Sequence, residues 1–321
     1  MPPRYLRVCA GAVPEDWPAS LPALGPRVAW LQRLRVHAHT WELAEDPRFV
    51  EANVVGIDAA SAAVCEALDV KPGHAVLDLC CAPGSKLAAL AELMQHRGCL
   101  VGVDVSLARL NIAKNVLKKY RVSSAREGWS IFALLQDGRL FDPLLAPGDI
   151  MWSCDMDTTF FSTKAGESRK HVGRGLRKLL QKHALATQDL PALFDRVLVD
   201  AECTTDARVH GPENPPAYKK VRERPDPLEV VELQLGLLKR GFELLKPGGV
   251  LVYATCSADA RQNQGLIRQF LKEQHDALVV DTPLFEGAPV QRIELGIAFS
   301  PEVSDTSGMY LCRLTKHAQD V

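Results

Sequence analysis

Two cysteines stand at matching places in this chain. Cys203 closes the stretch "VLVDAEC" and Cys256 closes "VLVYATC", each after a run of apolar residues. A thiolate is a strong nucleophile once its pKa falls or its proton has an acceptor. A single cysteine at a strand end is more often a small buried hydrophobe. Two of them, on neighbouring strands with backbones ~5 Å apart, would open on one pocket. Acids accompany them. Asp200 precedes Cys203, Asp78 sits in "LDLCCAPGSK", Asp104 in "VGVDVS" and Asp137 in "LLQDGR". Pro83 and Gly84 form a small-residue turn that lets backbone N–H groups approach a ligand. Asp104, about twenty residues beyond that glycine, is placed to accept hydrogen bonds from ribose hydroxyls. The pattern points to a nucleoside-bearing cofactor, although neither GxGxxG nor GxxxxGK[ST] occurs.

The elements that must position these residues alternate between strand and helix. "HAVLDLC", "CLVGVDVS", "WSIFALLQD", "RVLVDAEC" and "GVLVYATC" read as five strands, and "GMYLCRLTK" as a last one. "SKLAALAELMQ", "LARLNIAKNVLKKY" and "PLEVVELQLGLLKRGFELL" carry helical periodicity between them. Strands with few polar residues, alternating with helices, predict a mostly parallel sheet covered on both faces. Ligands in such sheets sit beyond the carboxyl ends of the strands, where the acids and cysteines lie. Residues 1–50 fall outside this rhythm and contain "VAWLQRLRVHAHTWEL", read as a helix. So does the segment of about 143–191, whose "STKAGESRKHVGRGLRKLLQKH" is dense in Lys and Arg.

Composition sets limits. The 321 residues suit one large domain or a domain with an appendage. No apolar run approaches the ~20 residues that span a bilayer, and the N-terminus lacks a signal-peptide core. The nine cysteines include no CxxC pair and no zinc-like cluster with histidine, so no metal is expected. An intracellular protein with unbridged thiols is the expectation, cytoplasmic, nuclear or organellar. A net charge of -1 means that any cationic surface is local.

The motifs "VLDLCCAPGSK", "DVS", "VLVDAEC" and "LLKPGGVLVYATCS", in this order, resemble the Sun/Fmu (Nop/Nol, RsmB-like) family of RNA cytosine-C5 methyltransferases. "VVGIDAASAAV" upstream and "SGMYLCRLTK" near the end extend the likeness over most of residues 50–321. The resemblance implies a Rossmann-like class I S-adenosylmethionine-dependent fold with a seven-stranded, mostly parallel sheet. It implies a catalytic domain over 51–321 and an extension over 1–50, read as a reduced RNA-binding element. Cys80, Cys81, Ala82, Pro83, Gly84, Ser85 and Lys86 match the S-adenosylmethionine loop. Asp104 matches the ribose-binding acid and Asp137 the acid near the adenine. Asp200 matches the acid facing both methyl donor and target cytosine, and Lys86 a lysine near the active site. Cys256 matches the nucleophile, and Cys203 the cysteine linked to product release.

The implied reaction is methyl transfer to carbon 5 of an RNA cytosine, with tRNA expected ahead of rRNA and a monomeric enzyme. The alternative is an RNA-binding scaffold that keeps the fold without turnover; a methyltransferase for proteins or small molecules leaves the second cysteine unexplained. RNA would meet cations such as Arg169, Lys170, Arg174, Arg177, Lys178, Lys219, Lys220, Arg222 and Arg224, which a solvated helix face and loop would equally explain. Two departures stand out. Glu202 occupies the place of the family's usual proline, and "RQNQ" (Arg261–Gln264) keeps only Asn263 of the usual Glu-Asn-Glu.

Overall fold

The computed structural model describes residues 4–9, 25–39, 54–120, 122, 127–144, 150–153, 190–207, 226–282 and 287–317. The cations named above fall outside these residues, as does most of the basic insertion.

The strands, in chain order, are β1 (Arg4–Val8), β2 (Arg35–His39), β3 (Val54–Gly56), β4 (Ala75–Asp78), β5 (Gly98–Asp104), β6 (Trp129–Leu135), β7 (Ile150–Ser153), β8 (Phe194–Asp200), β9 (Leu245–Thr255), β10 (Ala277–Val279), β11 (Gln291–Ile293), β12 (Gly296–Phe299) and β13 (Met309–Lys316). The helices are α1 (Ala59–Ala67), α2 (Ser85–Leu93), α3 (Leu107–Lys119), α4 (Pro227–Glu243), α5 (Gln264–Glu273) and the single turn α6 (Pro301–Ser304).

The main sheet runs β11-β12-β13-β9-β8-β4-β5-β6-β7, with β10 also paired to β13. Its centre, β9-β8-β4-β5-β6, is parallel throughout. The flanking pairs are antiparallel. The expected class of fold is present, but the sheet has ten strands among the described residues where seven were expected. The strands at the margins are short: β10, β11 and β12 lie on the β13 side, and β7 pairs with β6.

Side chains of the parallel strands alternate between two cores, as a period of two requires. Val76, Leu198, Val252 and Ala254 join α1, α2 and α3 on one face. Leu77, Val197, Val199, Leu251 and Tyr253 join α4 and α5 on the other, where Phe242 and Phe270 meet edge to face at 5.3 Å. Truncating one of the fully buried leucines to Ala would cost about 2–5 kcal/mol. Side chains cap the starts of α1, α3 and α4. The Asp226 carboxylate accepts from Leu228 N–H at 2.8 Å, with Pro227 filling the first turn of α4. Ser106 opens α3, and Lys118 and Lys119 lie at its C-terminal end, where cations are favourable.

Strands β2, β1 and β3 form a second, antiparallel sheet. The helix expected within "VAWLQRLRVHAHTWEL" is therefore corrected: Arg35–His39 is a strand that pairs residue for residue with β1. Tertiary pairing overrides the local periodicity there. Tyr5, Leu31, Leu34 and Val36 enter the same core as α1. The buried Glu66 carboxylate accepts the N–H groups of Gln32, Arg33 and Leu34 at 3.0, 2.8 and 2.6 Å. Arg7, almost fully buried, pairs with Glu92 of α2. Residues on both sides of position 50 share this sheet, because β3 pairs with β1.

Candidate active site

The carboxyl ends of β4, β5, β8 and β9 bring the expected residues together. β4 delivers Asp78 and then turns through Cys80 to Gly84 into α2. Gly84 adopts φ +102°, and a Cβ there would lie 2.9 Å from the Ala113 backbone of α3, so glycine is required twice over. The turn is fastened to its neighbours. Cys81 N–H donates to Val103 O of β5 at 2.9 Å, and Ala82 N–H donates to the Asp104 carboxylate at 3.2 Å. Arg109 of α3 donates to Ala82 O at 2.7 Å and pairs with Asp104 at 3.4 Å. Asp104 is thus a buried anchor of the turn as well as a strand-end acid. Sequence reasoning missed Arg109, whose role depends on a helix facing the turn.

Asp78 is buried at the end of β4. Burial and then the nearby Asp200 carboxylate push its pKa up to about 7, against a hydrogen bond from Cys80 N–H. Lys86, from the first turn of α2, donates to Asp200 at 2.6 Å. Burial works against the Lys86 charge, but the Asp200 carboxylate more than offsets it, and its pKa is raised. Asp137 caps the short turn Gly138–Leu140 and is paired with Arg139 at 2.5 Å. The Arg139 hydrogen bond, opposed by partial burial, holds the Asp137 carboxyl below the usual range.

Strands β8 and β9 are parallel neighbours with Asp200 opposite Ala254. Their following loops carry the two thiols, which lie Sγ to Sγ at 3.3 Å. Cys203 is buried and Cys256 half-buried. The hydrogen bond with Cys256 holds the Cys203 pKa down, against desolvation; backbone N–H groups of Thr205 and Cys256 assist. Thr205 adopts φ +54°, an uncommon conformation for a β-branched residue. The thiols of Cys9, Cys65, Cys80, Cys81 and Cys312 are instead all pushed up by burial. Among the described thiols whose pKa departs from the ordinary value, Cys203 alone is shifted down, and its hydrogen bond with Cys256 is the main cause.

A polar frame supports the pair, and it was not foreseen from sequence. Gln262 and Gln234 are both fully buried. Gln234 donates to Glu202 O at 2.8 Å and to the Gln262 side-chain oxygen at 3.2 Å. Gln262 also meets Thr204 twice, accepting from its N–H at 3.2 Å and donating to its hydroxyl at 3.0 Å. Asn263 accepts from the Thr255 hydroxyl at 2.5 Å and donates to Ser257 O at 2.8 Å. The retained Asn263 thus secures the loop that carries Cys256. The Glu202 side chain is exposed.

The model of the family described as 16S rRNA methyltransferase RsmB/F matches residues 65–145 and 170–315, well over half of the chain. The chain belongs to this RsmB/F family. It is 28% identical over 251 residues to the ribosomal RNA small subunit methyltransferase F of Aeromonas salmonicida, covering 77% of this chain and 41% of that protein. It is 28% identical over 263 residues to the probable ribosomal RNA small subunit methyltransferase B of Bacillus subtilis, covering 81% and 47%. The 5-cytosine rRNA methyltransferase NSUN4 of Xenopus tropicalis is 30% identical over 215 residues, covering 66% and 41%. The chain thus spans less than half the length of these relatives. A solved methyltransferase homolog from Pyrococcus horikoshii superposes with a TM-score of 0.63 at 21% identity, over 98% of this chain and 87% of that one. The structure of NSun6 from the same organism, solved with SFG, gives 0.59 at 20% identity over 89% and 60%. These likenesses establish the class I methyltransferase fold. Among the described residues no helix is long and apolar enough to cross a membrane, and no cluster of His, Cys, Asp and Glu could hold a metal ion.

Proposed function

We propose that this RsmB/F-family chain transfers a methyl group from S-adenosylmethionine to carbon 5 of a cytosine in RNA. The observation that carries the reading is the 3.3 Å thiol pair beyond two parallel strands, beside an ion-paired acid. The residues fit the methyl donor. The turn Cys80–Lys86 has the small-residue shape and the positive φ at Gly84 that close backbone approach needs. Asp104 retains acceptor capacity for ribose hydroxyls, since a carboxylate offers about four lone-pair sites. Asp137, at the end of β6, is assigned to the adenine side.

Carbon 5 of cytosine is a poor nucleophile, so the ring must first be activated. Cys256 is the attacking group because it is the more accessible of the pair. Its thiolate adds to carbon 6, forming a C–S bond and shifting ring electrons toward N3, which gains a proton. The Asp200–Lys86 pair holds that proton at N3. S-adenosylmethionine supplies an electrophilic methyl group, which carbon 5 of the activated ring takes. A base then removes the carbon-5 proton, the ring double bond re-forms, the Cys256 thiolate leaves and N3 returns its proton to the Asp200–Lys86 pair. Cys203, whose sulfur lies 3.3 Å from that of Cys256, is assigned to this release, directly or through water. The target base must be unpaired or flipped out to reach the site.

The relatives named above are rRNA methyltransferases by name, which weighs toward rRNA over the tRNA expected from the sequence. The test is methylation of small-subunit rRNA and of tRNA by the purified protein with labelled S-adenosylmethionine, followed by bisulfite mapping. Labelled 5-methylcytosine at a defined position supports the reading. Binding of S-adenosylmethionine without transfer to either RNA would favour the scaffold alternative.

A further inference from the structure

Asp206 has no part in the reaction described above, yet its carboxylate touches both cysteine loops. One oxygen accepts from the Thr204 hydroxyl and, at 2.8 Å, from the Ser257 hydroxyl. The other accepts from Ala258 N–H at 3.2 Å. Thr204 directly follows Cys203, and Ser257 directly follows Cys256. The two hydroxyl oxygens themselves lie 2.8 Å apart. An ionised carboxylate, being acceptor-only, lets both hydroxyls point their protons at it. The main chain adds one more link between the loops, from Ala207 N–H to Cys256 O at 3.2 Å.

We propose that Asp206 is a positioning residue that clamps the loop after β8 to the loop after β9 and thereby sets the contact between the two thiols. The clamp acts one residue beyond each sulfur, and it is the only acidic side chain among the described residues that bonds both loops. Gln262 makes a comparable link from the buried side, through Thr204. Asp206 makes it from the exposed side, where RNA would arrive. Partial burial opposes its charge, but the hydrogen bonds from Thr204, Ser257 and Ala258 outweigh that and keep the carboxyl below the usual range.

The inference rests on the proposed function only for the naming of Cys256 as nucleophile, so its test uses neither RNA nor methyl transfer. The pH dependence of iodoacetamide alkylation at Cys203 and Cys256 is followed by peptide mass spectrometry in the wild-type and Asp206→Asn proteins. Loss of a clamp weakens the thiol–thiol hydrogen bond, and the alkylation midpoint of the pair should rise by about one pH unit. Simple removal of a nearby negative charge would lower it. A downward or absent shift overturns the proposal. Ser257→Ala removes one donor to the carboxylate and should give a smaller upward shift, which decides the matter if Asp206→Asn does not fold. With a methylated RNA in hand, Asp206→Asn should lower kcat about tenfold with KM for S-adenosylmethionine within about twofold. An alkylation shift in a protein that methylates no RNA would support the clamp while sinking the functional reading.

Discussion

The ends of β8 and β9 are near-copies in sequence and differ in what surrounds the sulfur. "VLVDAEC" places Cys203 under cover, with backbone N–H groups of Thr205 and Cys256 and a neighbouring thiol around it. "VLVYATC" leaves Cys256 half-buried, within 3.3 Å of the first sulfur. One strand end also carries Asp200 and its Lys86 partner; the other carries Thr255, bonded to Asn263. Similar sequence patterns therefore end in different surroundings, and the proposed function gives the more exposed sulfur the attacking role on that ground.

Substitution should break that comparison unequally. Cys256→Ala should lower methyl transfer by roughly 10³-fold or more, measured by label incorporation at saturating substrates. Cys203→Ala should leave the first bond-forming step and stall release, so that RNA-bound protein accumulates on denaturing gels. Equal loss with no accumulation would erase the distinction between the two strand ends. Lys86→Ala removes the partner of a mostly buried carboxylate. Breaking a buried pair costs about 3–5 kcal/mol, and the partial exposure of Asp200 brings the expected loss to about 2 kcal/mol in denaturant melts.

Asp78 offers a pH test of the same cluster. Its folded pKa of about 7 lies above the ordinary carboxyl value of 3.8. Between those values the folded state binds the extra proton, so this group's stabilisation is full below about pH 4 and is lost as pH rises toward 7. Asp78→Asn should remove that contribution, and the difference in melting temperature between wild type and variant should change across this window. A difference constant with pH would contradict the assignment. The smallest effect should come from Glu202→Gln. The side chain is exposed, so a stability change within about 0.5 kcal/mol is expected.

Much of this site was legible before the fold. Apolar runs ending in Asp78, Asp104, Asp200 and Cys256 revealed strands whose carboxyl ends converge, because the chain order of a doubly wound sheet constrains where strand ends meet. The proximity of the two cysteines followed from β8 and β9 being neighbours. The supporting groups were not legible. Gln234 lies on α4 and Gln262 ahead of α5, and only packing reveals that both reach the loop after β8. Arg109 looks like an ordinary helix cation until α3 is seen to face the turn at Ala82. The strand β2 was misread because helix-like spacing over a short segment cannot anticipate pairing with β1, about thirty residues earlier.

The central claim is that Cys256, and not Cys203, attacks the base. RNA carrying 5-azacytidine at the target position cannot lose the proton needed for release and should be trapped on the attacking sulfur. Mass spectrometry of the trapped complex should place the nucleotide on Cys256, with the same adduct in Cys203→Ala and none in Cys256→Ala. An adduct mapped to Cys203 would contradict the account.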